Sequence, residues 1–201
     1  MAVSPSTYCS VIPDGFIHGC NYHFYDSDNN PYTPSYYQYL LSTAKKSIKI
    51  WDPFWIDPSE LFSKVTQNEL FIDFLCSVED NFEKTTLEKH LDNLVNVLQT
   101  NGITKYEIHA RCFYYKFKHS PNHWHDRYLI LDDGLETARY FLVGASMQNQ
   151  LASDRSYGIY EISNKAKDYC IIDKARNNYL NLCKENKPYP YKGIVTTKIA
   201  K

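Results

Sequence analysis

His125, Arg127 and Asp132 stand in the order H-x-R-x-x-x-x-D, and twelve residues beyond the aspartate comes Gly144-Ala145-Ser146. In an extended segment side chains alternate, so His125, Arg127 and Leu129 share one face, and an imidazole and a guanidinium project side by side. A histidine in that setting can attack phosphorus while the cation neutralises the non-bridging oxygens. Arginine suits the second task because its planar fork grips phosphate bidentately and keeps its proton. Asp132 can orient an imidazole or position a cation. Ser146 and the amides near Gly144 can donate further hydrogen bonds to a bound phosphate.

These residues need elements to hold them. The stretch Asn122 to Asn149 reads as a hairpin: a strand from about His125 to Leu131, a turn at Asp133-Gly134, and a strand from about Ala138 to Val143. Upstream, apolar spacing predicts a helix from Ser35 to Lys46, closed by two lysines that complement a helix C-terminus. It runs into an alternating strand, Ser47 to Trp51, stopped at Asp52-Pro53. Ligands of open α/β sheets gather outside strand C-terminal ends, which makes Asp52 a candidate binding residue. The competing reading is an aspartate that caps a turn. Helices are expected at 67–79, 85–99 and 168–183, and strands at 106–115, 157–162 and 194–196. His109 reads as a half-buried strand histidine rather than a catalyst.

The order of elements indicates an α/β domain, a mixed β-sheet flanked by helices. One domain over 1–201 is expected, with 1–33 an N-terminal arm or extra strands and 188–201 a C-terminal tail. The 22 basic and 23 acidic residues nearly cancel, so any contact with a polyanion must be local. Six cysteines lack C-x-x-C spacing, which argues against a zinc ribbon or a redox pair, and reduced thiols are expected. No leader pattern and no membrane-spanning run stands out, so a cytoplasmic location is expected.

The motif resembles the H-x-K-x-x-x-x-D … G-S-x-N signature of the phospholipase D superfamily, with Arg127 in the lysine's place. It is more similar still to a subgroup written H-D-R-[FY]-L-x-x-D-D with a later G-A-S-[LM]. It is also similar to the phospholipase-D-like C-terminal domain of microtubule-interacting-and-trafficking proteins, where Asp52-Pro53-Phe54 matches a D-P-[YF] element. The resemblance spans residues 35 to 183 and implies a phospholipase D-like domain. It implies a metal-independent phosphodiesterase without a cofactor, with His125 as nucleophile and Arg127 binding phosphate. A second histidine is needed as general acid and base, and a single motif obtains it only from a homodimer. Compact single-motif members resemble dimeric nucleases, which implies DNA or RNA as substrate.

Two other readings use the same residues. A catalytically inactive module would bind a phosphoinositide headgroup, a nucleic-acid backbone or a protein partner. His119, His123 and His125, spaced H-x-x-x-H-x-H, offer nitrogen ligands for zinc, although Pro121 keeps the first pair off a shared helical turn. For nucleic acid, Lys116, Lys118, His119, His123 and Arg127 form a cationic lip interleaved with Tyr114, Tyr115, Phe117 and Trp124. His123 is therefore a candidate substrate contact with Ser146, Gly144 and Asp52.

Overall fold

A computed structural model describes residues 20–25, 33–79, 81–114, 127–144, 157–162 and 193–200. Its elements are β1 (Cys20–Tyr25), α1 (Thr33–Ser42), β2 (Ser47–Asp52), a 3-10 turn (Ser59–Phe62), β3 (Glu69–Val78), α2 (Lys84–Thr100), β4 (Lys105–Tyr114), β5 (Tyr128–Leu131), β6 (Arg139–Val143), β7 (Tyr157–Ile162) and β8 (Gly193–Ala200). The strands form one eight-stranded sheet in the order β1-β7-β6-β5-β2-β3-β4-β8. Only β2 with β3 and β3 with β4 pair in parallel; the remaining pairs are antiparallel. The expected mixed-sheet α/β architecture is therefore what the chain adopts. The expected helix at 168–183 lies outside the described residues.

The expected helix at 67–79 is instead the central strand β3. Its apolar residues fit helical spacing, but Ile72 through Val78 are all buried, and a strand covered on both faces loses the alternation that marks a half-exposed one. Parallel neighbours on either side satisfy its backbone. In contrast, α2 follows its pattern closely. Leu87, Leu91, Leu94 and Leu98 form one fully buried stripe, and Gly102 takes a positive φ of 81° just past the helix end. The Gly102 amide reaches the Gln99 carbonyl at 3.0 Å and the Ile103 amide reaches Leu98 at 2.9 Å. That pair of bonds satisfies the last carbonyls, and buried Ile103 packs in the same core as Leu98. Asn101 then ties this end to the turn below it, its amide donating to the carbonyls of Phe62, Ser63 and Val65.

Helix α1 ends at Ser42, earlier than the two lysines suggested. The hydroxyls of Ser42 and Thr43 fold back onto the Tyr39 and Leu40 carbonyls, each at 2.7 Å. The amides that would have prolonged the helix are taken elsewhere. Lys45, Lys46 and Ser47 all donate to the carboxylate of Asp132, at 2.9, 2.7 and 3.1 Å to Oδ1. Asp132 is buried, sits at a positive φ of 55°, and receives a further bond from the Thr137 hydroxyl at 3.3 Å. Its own amide donates to the Ser47 carbonyl at 2.8 Å. One side chain thus fixes the joint between α1 and β2 to the β5–β6 turn.

The main core lies on the face carrying α1 and α2, where Leu40 and Leu41 meet Ile48, Ile50, Ile72, Phe74, Leu129 and Phe141. The opposite face carries Lys49, Asp73 and Arg111, with Arg111 bonded to Asp73 and Lys49 to Asp133 at 2.6 Å. No helix among the described residues is long and apolar enough to cross a membrane.

Replacing Asp132 by alanine strands three backbone amides, the last of them at the start of β2. Asp132→Ala is expected to lower unfolding free energy by about 3 kcal/mol or more, with Asp132→Asn losing roughly half as much because one carbonyl acceptor and the left-handed tolerance survive. Urea titration followed by circular dichroism reads both.

Candidate functional site

Parallel strands β2, β3 and β4 all finish at one end of the sheet, and antiparallel β5 begins there. The register makes the neighbours explicit: Trp51 lies opposite Tyr128, and Tyr128 opposite Leu142. Carried one residue further, it sets Arg127 between Asp52 of β2 and Val143 of β6. The Val143 amide donates to the Arg127 carbonyl at 3.0 Å, which anchors the arginine's backbone. Gly144 follows at once and is exposed. Beyond Asp52 the same row continues through Cys76 and Cys112. Alternation assigns this row to the helix-bearing face, since Ile50 and Leu129 belong to the core there.

Three candidates therefore meet at one strand end: Asp52, Arg127 and Gly144. Asp132, expected to act with them, does not. It lies at the far end of β5, and its carboxylate is occupied by the amides of residues 45–47. Four strand residues separate it from Arg127, and its hydrogen bonds there are structural ones. His123, His125 and Ser146 lie outside the described residues, as do His119 and most of the cationic lip. His109 sits in mid-strand on the opposite face, 2.6 Å from Glu107 and with its ring tilted against Phe71 at 5.4 Å between centroids.

Of the two readings offered for Asp52, the turn-capping one has a hydrogen bond behind it. It is buried at the strand's end, and its Oδ1 accepts the Phe54 amide at 2.9 Å, a turn cap. The loop it begins is tightly held. The Trp55 amide donates to the Ser77 carbonyl at 3.3 Å, its indole N–H donates to His90 Nδ1 at 3.0 Å, and its ring meets Phe74 edge-on. Two residues on, Asp57 accepts from Asn93 at 2.6 Å and from the Ser59 amide at 3.0 Å. Burial pushes the Asp57 carboxyl up, but the Asn93 and Ser59 hydrogen bonds and nearby His90 outweigh it and hold the group below its ordinary range.

Sequence reasoning missed the two thiols beside Asp52. Cys76 and Cys112 are 36 positions apart and become neighbours only through parallel pairing, which no spacing rule exposes. Burial, then the neighbouring Cys112 and Asp52, drives the Cys76 thiol well up, and burial pushes Cys112 to about 12. Both are protonated at neutral pH and are poor nucleophiles or metal ligands as they stand. Among the described residues no group of three metal-ligating side chains comes together.

A cavity of about 610 Å³ opens at the other end of the sheet. Its charged lining is Lys46, Lys49, Lys105, Glu69, Glu107 and Asp133, which sum to zero, and Lys49 and Asp133 already pair. It offers an anion no net attraction.

No family model matches the chain, and no curated protein matches it. Solved structures similar to it include NucT from Helicobacter pylori, with a TM-score of 0.43 and 15% identity over 82% of this chain and 96% of that one. Nuc from Salmonella typhimurium, described as a phospholipase D family member, gives a TM-score of 0.44 and 11% identity over 85% and 97%. Yeast tyrosyl-DNA phosphodiesterase 1 gives 0.39 and 10% over 71% and 31%.

Two measurements check the local electrostatics. Cys76 and Cys112 are expected to resist iodoacetamide at pH 8 in the native protein and to label fully in denaturant, read by peptide mass mapping; rapid native labelling would contradict their burial. For Asp57, the folded value lies below the unfolded one, so its stabilising contribution is complete above about pH 3.9 and is lost as pH falls through the folded value. Asn93→Ala is therefore expected to move the acid-unfolding midpoint to higher pH.

Proposed function

We propose that the chain is a phospholipase D-like phosphodiesterase acting on nucleic acid. The observation that carries this reading is the strand-end row: Arg127, the cation of the H-x-R motif, has Asp52 as its register neighbour and Gly144 of the small-residue turn close by. A guanidinium at the end of a rigid strand, backed by a buried carboxylate, is suited to hold a phosphodiester while a nucleophile attacks. In this reading His125, two residues before Arg127, is the nucleophile and forms a phosphohistidine as the leaving-group oxygen departs. A histidine from a second copy protonates that oxygen and then activates the water that releases the phosphate. His123 and Ser146 contact the substrate.

Several features favour chemistry over a binding-only role. Arg127 is half-buried and its backbone is fixed by β6, whereas a headgroup-binding surface calls for exposed cations. The Asp52 loop is held by hydrogen bonds at Phe54, Trp55 and Asp57, which is the support that a precise site requires.

The test is cleavage of end-labelled single-stranded DNA and RNA in EDTA. Wild type is expected to cut, His125→Ala to show nothing above background, and Arg127→Ala to fall about a hundredfold or more, as expected for losing one donor to a developing oxyanion. Turnover is expected to depend on a dimer, so activity per chain declines on dilution. A wild type inactive on DNA, RNA and model diesters would remove the enzymatic reading.

A further inference from the structure

Among the described residues five large apolar side chains are exposed: Tyr39, Phe54, Leu135, Tyr160 and Ile199. Isolated exposed apolar groups need no explanation in general. Phe54 differs from the other four in where it stands and in how it is held. Leu135 lies in the turn after Asp132, and Ile199 pairs with Glu107 near the start of β4, both toward the opposite end of the sheet. Tyr39 is on α1 and Tyr160 lies in mid-strand on β7. Phe54 is two residues past Asp52, so its Cα is within about 7 Å of the Asp52 Cα.

Its neighbours all turn inward. Pro53 is buried, and Trp55 and Ile56 pack against the main core. Only Phe54 stays outside, at 37% exposure, although the loop around it is not loose. Its amide is held by the Asp52 carboxylate at 2.9 Å, and the next amide is held by Ser77. The backbone that carries the ring is thus held next to the strand-end row by the carboxylate of Asp52, the register neighbour of Arg127. An aromatic side chain on a fixed backbone has few rotatable bonds left to order when a flat partner settles on it.

The geometry points to Phe54 as a stacking platform for an unpaired base of a single-stranded nucleic acid whose phosphate lies at Arg127. This rests on the phosphodiesterase reading and names its substrate class. A duplex keeps its bases stacked on one another and presents none to the ring, whereas a single strand splays bases at small cost. Because every base has a π face, the platform selects for single strands and not for sequence.

The experiment compares wild type, Phe54→Ala and Phe54→Trp on a single-stranded oligonucleotide, and on the same strand carrying one abasic sugar at successive positions around the cleaved bond. Phe54→Ala is expected to raise KM about tenfold, in the range for one base–aromatic stack, with kcat changed by less than about twofold. Phe54→Trp is expected to restore KM. At one position the abasic strand should erase the difference between wild type and Phe54→Ala, an effect that a purely structural role of the ring would not produce. An unchanged KM for Phe54→Ala, or a defect that the abasic strand never erases, overturns the platform while wild-type cleavage leaves the phosphodiesterase reading in place. Wild type that cleaves no oligonucleotide overturns both.

Discussion

The buried carboxylate of Asp132 is the interaction on which the rest of the described sheet depends. Three successive amides, at residues 45 to 47, converge on it as a helix stops and a strand starts. A carboxylate receiving several N–H bonds replaces the carbonyls that α1 and β2 do not supply there. The same contact sets β5 against β2, because the Asp132 amide answers the Ser47 carbonyl. With that register in place, Arg127 falls beside Asp52 at the far end. A slip of one residue would put Arg127 on the other face, away from the carboxylate and the helices.

Much of this arrangement was legible in the residues themselves. The α2 stripe and its Gly102 stop, the β5–β6 hairpin, β7 and the strand-ending Asp52 all follow from local rules, since each is decided by neighbours within a few positions. Strand β3 was not legible. Its burial on both faces comes from partners that the local sequence does not reveal, and Leu70, Phe71, Phe74 and Leu75 fall at helical spacing. Asp132 was visible as a motif residue but not as a cradle. Its spacing from Arg127 says that the two share a strand, and only the strand's length says that they occupy opposite ends. The joint that ends α1 early depends on that same distant side chain, so the two lysines misled for the same reason.

The row of Asp52, Cys76 and Cys112 gives the strand end its character. Buried neutral thiols on one side leave the carboxylate in weakly polar surroundings, where its hydrogen bond to the Phe54 amide counts for more than it would in water. The loop that follows is held at Trp55 by Ser77 and His90 and at Asp57 by Asn93. Rigidity at the strand end is thus supplied by β3 and α2, while the cation arrives from β5.

The seam closed by Asp132 joins positions 85 to 87 residues apart. In polymer terms the intervening chain is one large loop, and the entropy lost on closing it grows only with the logarithm of its length. Doubling that loop would add only about 0.6 kcal/mol to the cost of closing the seam. Extra sequence inserted between β4 and β5 would therefore leave the two ends of the sheet nearly as well joined as before. The carboxylate that registers the strands is thus little affected by how much chain it has to close over.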